Sequence, residues 1–365
     1  MGSANHHIAI LCSRLDLPGG IERAVVNTAN LFFTKGHKIT LVILDDTDKS
    51  FYPIHSGVQV LQQPLSFGIT PEGNVITRKI KLLGDVLKLR RLLKQLQADL
   101  IIASEYPLAA AAILAGGKKQ SKVVSWEHHH YYELQRNSFW NNVFRLTYPR
   151  LDAIVCLNKD EQQLFASVNH NPVVVPNFID AVNPADTNSQ VILTIARLTA
   201  VKGIEHLLKV AKAVLTAHPD WKWKLIGDGE MKAEVLAYIE TEKLEGKLIL
   251  RPPVDHNIMS EYQQAAMYVM TSLNECFPMT LLEAQSAGLP CIAFDCESGP
   301  RHIITRENGM LVKKEDTTAL TQAISTLINN ESLRNSMREK ALENVHHFSP
   351  DTVYALWQQQ VFTLL

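Results

Sequence analysis

One pattern, met twice along the chain, limits what it can fold into. Short apolar runs alternate with longer stretches whose apolar residues recur every three or four positions. The first set of runs is 7–12, 38–44, 99–103, 122–125, 152–157 and 172–175, with helical stretches at 21–35, 78–97, 138–149 and 159–166 between most of them. Runs of this length without polar alternation read as strands covered on both faces. Parallel neighbours need a long crossover, so strand–helix repetition implies a parallel sheet with helices on both sides. From Val191 the pattern restarts, with runs at 191–196, 222–226, 247–250, 267–270 and 291–294 and helical stretches that include 204–217 and 231–242.

The two series meet at Val175-Pro176-Asn177-Phe178-Ile179-Asp180, which is followed by a polar, aperiodic segment at 181–190. Proline and the loss of periodicity mark a domain boundary there. A second proline, Pro350, follows His346-His347-Phe348-Ser349 and separates the helical stretch 320–346 from a last one at 351–365. The expected fold class is α/β, with two doubly wound Rossmann-like domains facing each other across a cleft. The expected division is 1–178, 179–348 and a C-terminal helix, 349–365, crossing back to the first domain.

Composition narrows the function. The chain carries 36 Lys plus Arg against 37 Asp plus Glu, a formal net charge of -1, which argues against a nucleic-acid partner. Its five cysteines (Cys12, Cys156, Cys276, Cys291, Cys296) are odd in number and form no CxxC, so a disulfide framework or zinc ribbon is not expected. The longest apolar candidate, 100–115, is broken by Glu105 and Pro107 and falls short of the ~20 residues a spanning helix needs. Residues 1–7 lack the pattern of a secretory signal. The expectation is a cytoplasmic protein, soluble or peripheral at the inner face of the membrane.

Residues 78–94 hold seven cations and one acid, Asp85, with Leu82, Val86, Leu89, Leu93 and Leu96 in a helical stripe. Two readings stay open: the solvated back of a core helix, or a face that docks on anionic lipid. Tyr131, Tyr132, Arg136, Phe139, Trp140, Arg145 and Arg150 add aromatic and basic character to the same domain.

Several constellations could carry chemistry. In Glu275-Cys276-Phe277-Pro278-Met279-Thr280-Leu281-Leu282-Glu283, two carboxylates flank a strand-to-helix turn. Pro278 suits the first helical turn, and the N–H groups around Met279, Thr280 and Leu281 would form an anion site. Glu283, one turn in, could accept hydrogen bonds from a ribose, and Glu275 could reach the other end of the ligand. The alternative is a capped helix with a solvated glutamate. Arg197 and Lys202 bracket a strand-to-helix loop where two cations could neutralise a diphosphate; a solvated basic loop is the alternative. Gly19-Gly20 opens a helix after the first strand, and could be either a phosphate approach or a plain turn. In Trp126-Glu127-His128-His129-His130, adjacent extended side chains point in alternating directions, so the three histidines cannot share one metal ion. Asp46-Thr47-Asp48 reads as a polar turn, and Gly227-Asp228-Gly229 is too short for a dinucleotide fingerprint.

Taken together these motifs resemble family 4 of the retaining glycosyltransferases (glycosyl transferases group 1), which have the glycosyltransferase-B fold. The resemblance rests on Glu-x7-Glu with its inner Phe-Pro-Met, on Leu282-Glu283-Ala284, and on Ala287-Gly288-Leu289-Pro290-Cys291. It extends, in order, to Pro18-Gly19-Gly20-Ile21-Glu22-Arg23, Arg197 with Lys202, Gly227-Asp228-Gly229-Glu230, Ser298-Gly299-Pro300-Arg301 and Asn308-Gly309-Met310-Leu311-Val312. It implies an acceptor-binding first domain and a nucleotide-sugar-binding second domain. The implied reaction transfers a hexosyl or N-acetylhexosaminyl group from a nucleotide diphosphate-sugar, in first place a UDP-sugar, to a hydroxyl of a lipid-linked glycan or polysaccharide precursor. Neither cofactor nor metal is expected. The resemblance further implies attack from the front face, with the donor phosphate accepting the proton.

By the same resemblance, His128 orients the sugar with Glu275, Glu283 holds the ribose, and Arg197 with Lys202 stabilises the leaving diphosphate. Gly20 faces the phosphates and the acceptor. Arg251 offers its backbone to the base, and Phe277, Pro278, Met279, Thr280 and Leu281 complete the donor site. His302 stands where the family usually carries glutamate and receives no role. A sugar-nucleotide epimerase or phosphorylase of the same fold is the rival enzyme, and a two-domain sugar-binding protein the non-enzymatic one.

Overall fold

All eleven apolar runs become strands. The computed structural model describes residues 5–46, 49–65, 75–133, 138–186, 188–253 and 258–365, with the backbone alone at 75–80. Thr47, Asp48 and Arg136, and the side chains of Arg78 and Lys79, therefore lie outside the described residues.

The chain divides into two units, 1–176 together with 353–365, and 177–352. In the first unit the strands are β1 (His7–Cys12), β2 (Lys38–Ile43), β3 (Gln59–Gln62), β4 (Leu100–Ala103), β5 (Lys122–Glu127), β6 (Ala153–Cys156) and β7 (Pro172–Val174). They form one sheet in the order β3-β2-β1-β4-β5-β6-β7. Its helices are α1 (Gly20–Thr34), α2 (Val75–Leu96), α3 (Tyr106–Leu114), α4 (Ser138–Thr147) and α5 (Lys159–Phe165).

The second unit holds β8 (Val191–Ile195), α6 (Ile204–Ala217), β9 (Lys222–Ile226), α7 (Lys232–Thr241), β10 (Leu248–Arg251), α8 (Ile258–Gln263) and β11 (Met267–Met270). It continues through α9 (Met279–Ser286), β12 (Cys291–Asp295), β13 (Gly309–Lys313), α10 (Thr317–Asn329) and α11 (Glu331–Val345). Its sheet order is β10-β9-β8-β11-β12-β13. Every strand pairing in both sheets is parallel. Both units are therefore doubly wound.

Strand order fixes where ligands can go. Successive crossovers run outward in opposite directions from β1 and β4 in one sheet, and from β8 and β11 in the other. At such a switch point the loops after the two strands diverge and leave a crevice at their carboxyl ends. The loops singled out by sequence follow β1, β8 and β11, and the histidine loop follows β5.

Differences from the expected elements have local causes. The apolar stretch 100–115 is not one run: β4 ends at Ala103 and α3 begins at Tyr106, with Glu105 at its N-cap and Pro107 in its first turn, where a missing N–H does no harm. β3 was not anticipated because it is an edge strand with three exposed residues. The stretch 320–346 divides at Asn330, whose Oδ1 accepts from the Leu333 N–H at 3.0 Å and caps α11.

The last helix, α12 (Pro350–Gln360), brings residues 353–365 into the first unit. Trp357 meets Phe32 at 5.4 Å and Trp126 at 5.6 Å in edge-on contacts, and the Gln360 amide oxygen accepts from the Val174 N–H at 3.1 Å. His37 Nε2 and the Tyr354 hydroxyl are 2.8 Å apart.

Candidate active site

In the second unit the loops after β8 and β11 are laced together by backbone. Gly203 has φ +66°, and a Cβ there would stand 2.0 Å from the Thr271 carbonyl oxygen. Only glycine fits this turn. The close approach lets the Thr271 hydroxyl donate to the Lys202 carbonyl (3.0 Å) and the Leu273 N–H to that of Val201 (2.9 Å). As a result Lys202 Nζ meets Glu275 Oε1 at 2.6 Å, with both side chains mostly shielded from solvent.

The Glu275 carbonyl accepts from the Gly299 N–H (2.9 Å) and the Ser298 hydroxyl (3.3 Å), so the Ser298-Gly299 motif serves to hold the glutamate loop. Gly227 has a similar structural part. Its Cβ would lie 1.9 Å from the Ala196 carbonyl oxygen, in the segment that leads to Arg197. Arg197 itself is exposed. Arg251 closes β10, and its carbonyl accepts from the Gly227 N–H at 3.0 Å.

The turn into α9 departs from the expected geometry in detail. Pro278 is the N-cap residue, in extended conformation, rather than part of the first turn. Its carbonyl already accepts the Leu281 N–H at 3.1 Å, which leaves Met279 and Thr280 as the first-turn residues whose N–H groups suit an anion. Phe277, Met279 and Leu281 are buried, and Phe277 lies 5.8 Å from the Phe348 ring. Glu283 is buried, and its Oε2 accepts from the hydroxyl of Tyr262, 2.6 Å away on α8. Tyr262 had no signal in the sequence: it is a lone tyrosine on a six-residue helix, and only the fold brings it to the glutamate.

In the first unit Gly19 is the N-cap of α1 and Gly20 its first residue. The Glu22 carboxylate folds back over Gly19. The Glu105 carboxylate accepts from the Ser13 hydroxyl at 3.0 Å. Burial, and secondarily Glu22, push the Glu105 carboxyl above its ordinary range, outweighing the Ser13 hydrogen bond.

The three histidines go to three environments. His128 Nε2 is sealed from solvent with no hydrogen-bond partner among the described residues, and its ring lies 4.4 Å from that of Trp126. Burial, then the neighbouring His129, push its pKa down to about 3. His129 is exposed, 4.0 Å from Glu133. His130 is buried and bonded through Nδ1 to Glu161, which also accepts the Tyr131 N–H at 2.9 Å. Among the described residues no group of His, Cys, Asp and Glu could hold a metal ion.

The apolar stripe of α2 faces the core: Leu89 and Leu93 are buried, with Leu82, Val86 and Leu96 packed against the same cluster. Lys81, Lys88, Arg90, Arg91 and Lys94 are exposed on its back, beside Leu83 (62% exposed) and Leu87 (48%). No described helix is long and apolar enough to cross a membrane.

Comparisons with known proteins agree across the chain. The profile described as Glycosyl transferases group 1 matches residues 177–344, and that described as Glycosyltransferase Family 4 matches 18–182. An uncharacterized glycosyltransferase of Haemophilus influenzae is 25% identical over 352 residues, 93% of this chain and 95% of that protein. The amylovoran biosynthesis glycosyltransferase AmsD of Erwinia amylovora is 34% identical over 166 residues, 46% of either chain. Among solved structures, TarM of Staphylococcus aureus, crystallised with UDP and alpha-GlcNAc-glycerol, superposes with a TM-score of 0.80 at 14% identity, covering 97% of this chain and 99% of that one. The lipopolysaccharide outer core galactosyltransferase WaaB gives 0.76 at 19% identity, covering 98% and 100%.

Proposed function

The chain belongs to the group 1, family 4 glycosyltransferases, and on that premise we propose that it transfers a hexosyl or N-acetylhexosaminyl group, with retention, from a UDP-sugar to a hydroxyl of a glycan or glycolipid. The observation that carries the reading is the placement of Lys202, Glu275 and the start of α9 at the β8/β11 switch point. Arg197, Lys202 and the N–H groups of Met279 and Thr280 stabilise the departing diphosphate, where charge develops in the transition state. Glu283, steered by Tyr262, accepts from the ribose. Glu275 and the neutral imidazole of His128 orient the sugar, and Gly20 leaves room for phosphate and acceptor. Arg251 lies beside the base, and Phe277, Pro278 and Leu281 fix the turn. The acceptor hydroxyl attacks the face from which UDP leaves, and a phosphate oxygen of the donor takes its proton.

Similarity to AmsD, of amylovoran biosynthesis, and to WaaB, a lipopolysaccharide outer core galactosyltransferase, supports an envelope or exopolysaccharide acceptor. The exposed basic, leucine-bearing back of α2 supports contact with an anionic membrane surface. The test is UDP release from UDP-glucose, UDP-galactose and UDP-N-acetylglucosamine with glycan and lipid-linked acceptors, followed by the anomeric configuration of the product. An α-linked product from an α-linked donor is expected. Inversion, or acceptor-independent conversion of the donor, would overturn the reading.

A further inference from the structure

Lys202 is not held ready for phosphate: its ammonium is already bonded to Glu275 at 2.6 Å. Both partners are anchored independently, Lys202 through its carbonyl to the Thr271 hydroxyl and Glu275 through its carbonyl to Gly299 and Ser298. The pair is therefore a built element of the candidate site. We propose that the Lys202–Glu275 ion pair discriminates the UDP-sugar from the UDP product. The inference rests on the donor reading above and adds a consequence that the separate roles of the two residues do not contain.

A diphosphate arriving at Lys202 must take the ammonium from Glu275 or share it. Either way the carboxylate is left close to phosphate charge with its best partner weakened, and like charges brought together in a shielded site are costly. A UDP-sugar offsets that loss, because hydroxyl groups of the sugar donate to the freed carboxylate. UDP alone has no such donors. The same glutamate thus favours the intact donor when it enters and opposes UDP once the sugar has gone, which speeds product release. Arg197, exposed on the neighbouring segment, lies outside the pair and attracts both nucleotides alike.

The test is the affinity of the full-length protein for UDP and for whichever of UDP-glucose, UDP-galactose or UDP-N-acetylglucosamine it turns over, by calorimetry in wild type and Glu275→Gln. The isosteric amide removes the charge and keeps the shape, and matched thermal melts confirm that the variant is folded. The variant should bind UDP roughly tenfold more tightly while its preference for the donor over UDP falls by at least that factor. UDP product inhibition should strengthen in parallel. In a Lys202→Met background the carboxylate faces phosphate with no ammonium beside it, so Glu275→Gln should still tighten UDP binding, by at least as large a factor. Weaker or unchanged UDP binding in Glu275→Gln, or no gain from it once Lys202 is removed, would overturn the proposal with the donor reading intact. Failure of the wild type to bind any uridine nucleotide would remove the donor reading and this inference together.

Discussion

Lys202 and Arg197 are both cations beside the β8 terminus, yet their surroundings predict unequal losses. Removing Arg197 takes away one exposed charge, whereas Lys202→Ala also strands the shielded Glu275 carboxylate facing phosphate. A charge-assisted bond to phosphate is worth about 1.5–3 kcal/mol. Arg197→Ala should therefore weaken UDP binding roughly tenfold and Lys202→Ala closer to a hundredfold; calorimetry showing equal or no losses would contradict these roles.

His128 makes a prediction through pH. Its folded pKa, about 3, lies below the unfolded value of 6.5. The unfolded chain takes up a proton that the folded one refuses, so this histidine costs no stability above pH 6.5. Below that it removes up to about 1.4 kcal/mol per pH unit until the folded pKa is reached. Denaturant melts of His128→Gln should lose stability less steeply than wild type between pH 6.5 and 4; parallel curves would mean that the imidazole is not sealed. The type of these residues was legible in the sequence, and their partners were not. Nothing local connects Tyr262 with Glu283 or Gly299 with Glu275, because those contacts exist only after the sheet is assembled.

Helices and turns give sharper contrasts. Gly203 and Gly84 are both glycines near helices, but a Cβ at Gly84 on α2 meets nothing within 4 Å, whereas one at Gly203 would enter a carbonyl oxygen. Gly84→Ala should stabilise the protein by about 0.5–1 kcal/mol through helix propensity. Gly203→Ala should destabilise it by at least about 1–2 kcal/mol from its left-handed φ alone, and should weaken UDP binding by displacing Lys202. Equal melts for the two variants would refute the account of this turn. The back of α2 predicts salt-sensitive sedimentation with anionic liposomes, lost when Lys81, Lys88 and Arg91 are changed to Glu. Negligible binding by both proteins at low salt would make that face merely solvated.

The apolar stripe of α2 could be read from spacing, and so could its basic back. Whether the stripe faced lipid or core could not, since both environments select the same residues. β3 escaped notice for a related reason: an edge strand needs no apolar run. α3 was hidden because strand and helix together make one apolar stretch, and only the Glu105 cap and Pro107 divide it.

At the scale of the molecule, two sheets with the same winding carry the named loops at their carboxyl ends, and a chain of family 4 closes its C-terminal segment onto the first unit through Trp357. The winding was legible because parallel strands must be buried and therefore apolar. The return of residues 353–365 depends on an aromatic cluster drawn from distant parts of the chain, Phe32, Trp126 and Trp357 among them.

The most direct test of the glycosyl-transfer account is steady-state kinetics of UDP-sugar turnover in Glu283→Ala and Glu275→Ala. A ribose contact is nearly equal in ground and transition states, so Glu283→Ala should raise the donor KM about tenfold or more with little change in kcat. Glu275 acts beside the reacting sugar, so its loss should lower kcat at saturating donor. The reverse assignment of KM and kcat effects, or full activity in both variants, would contradict the account.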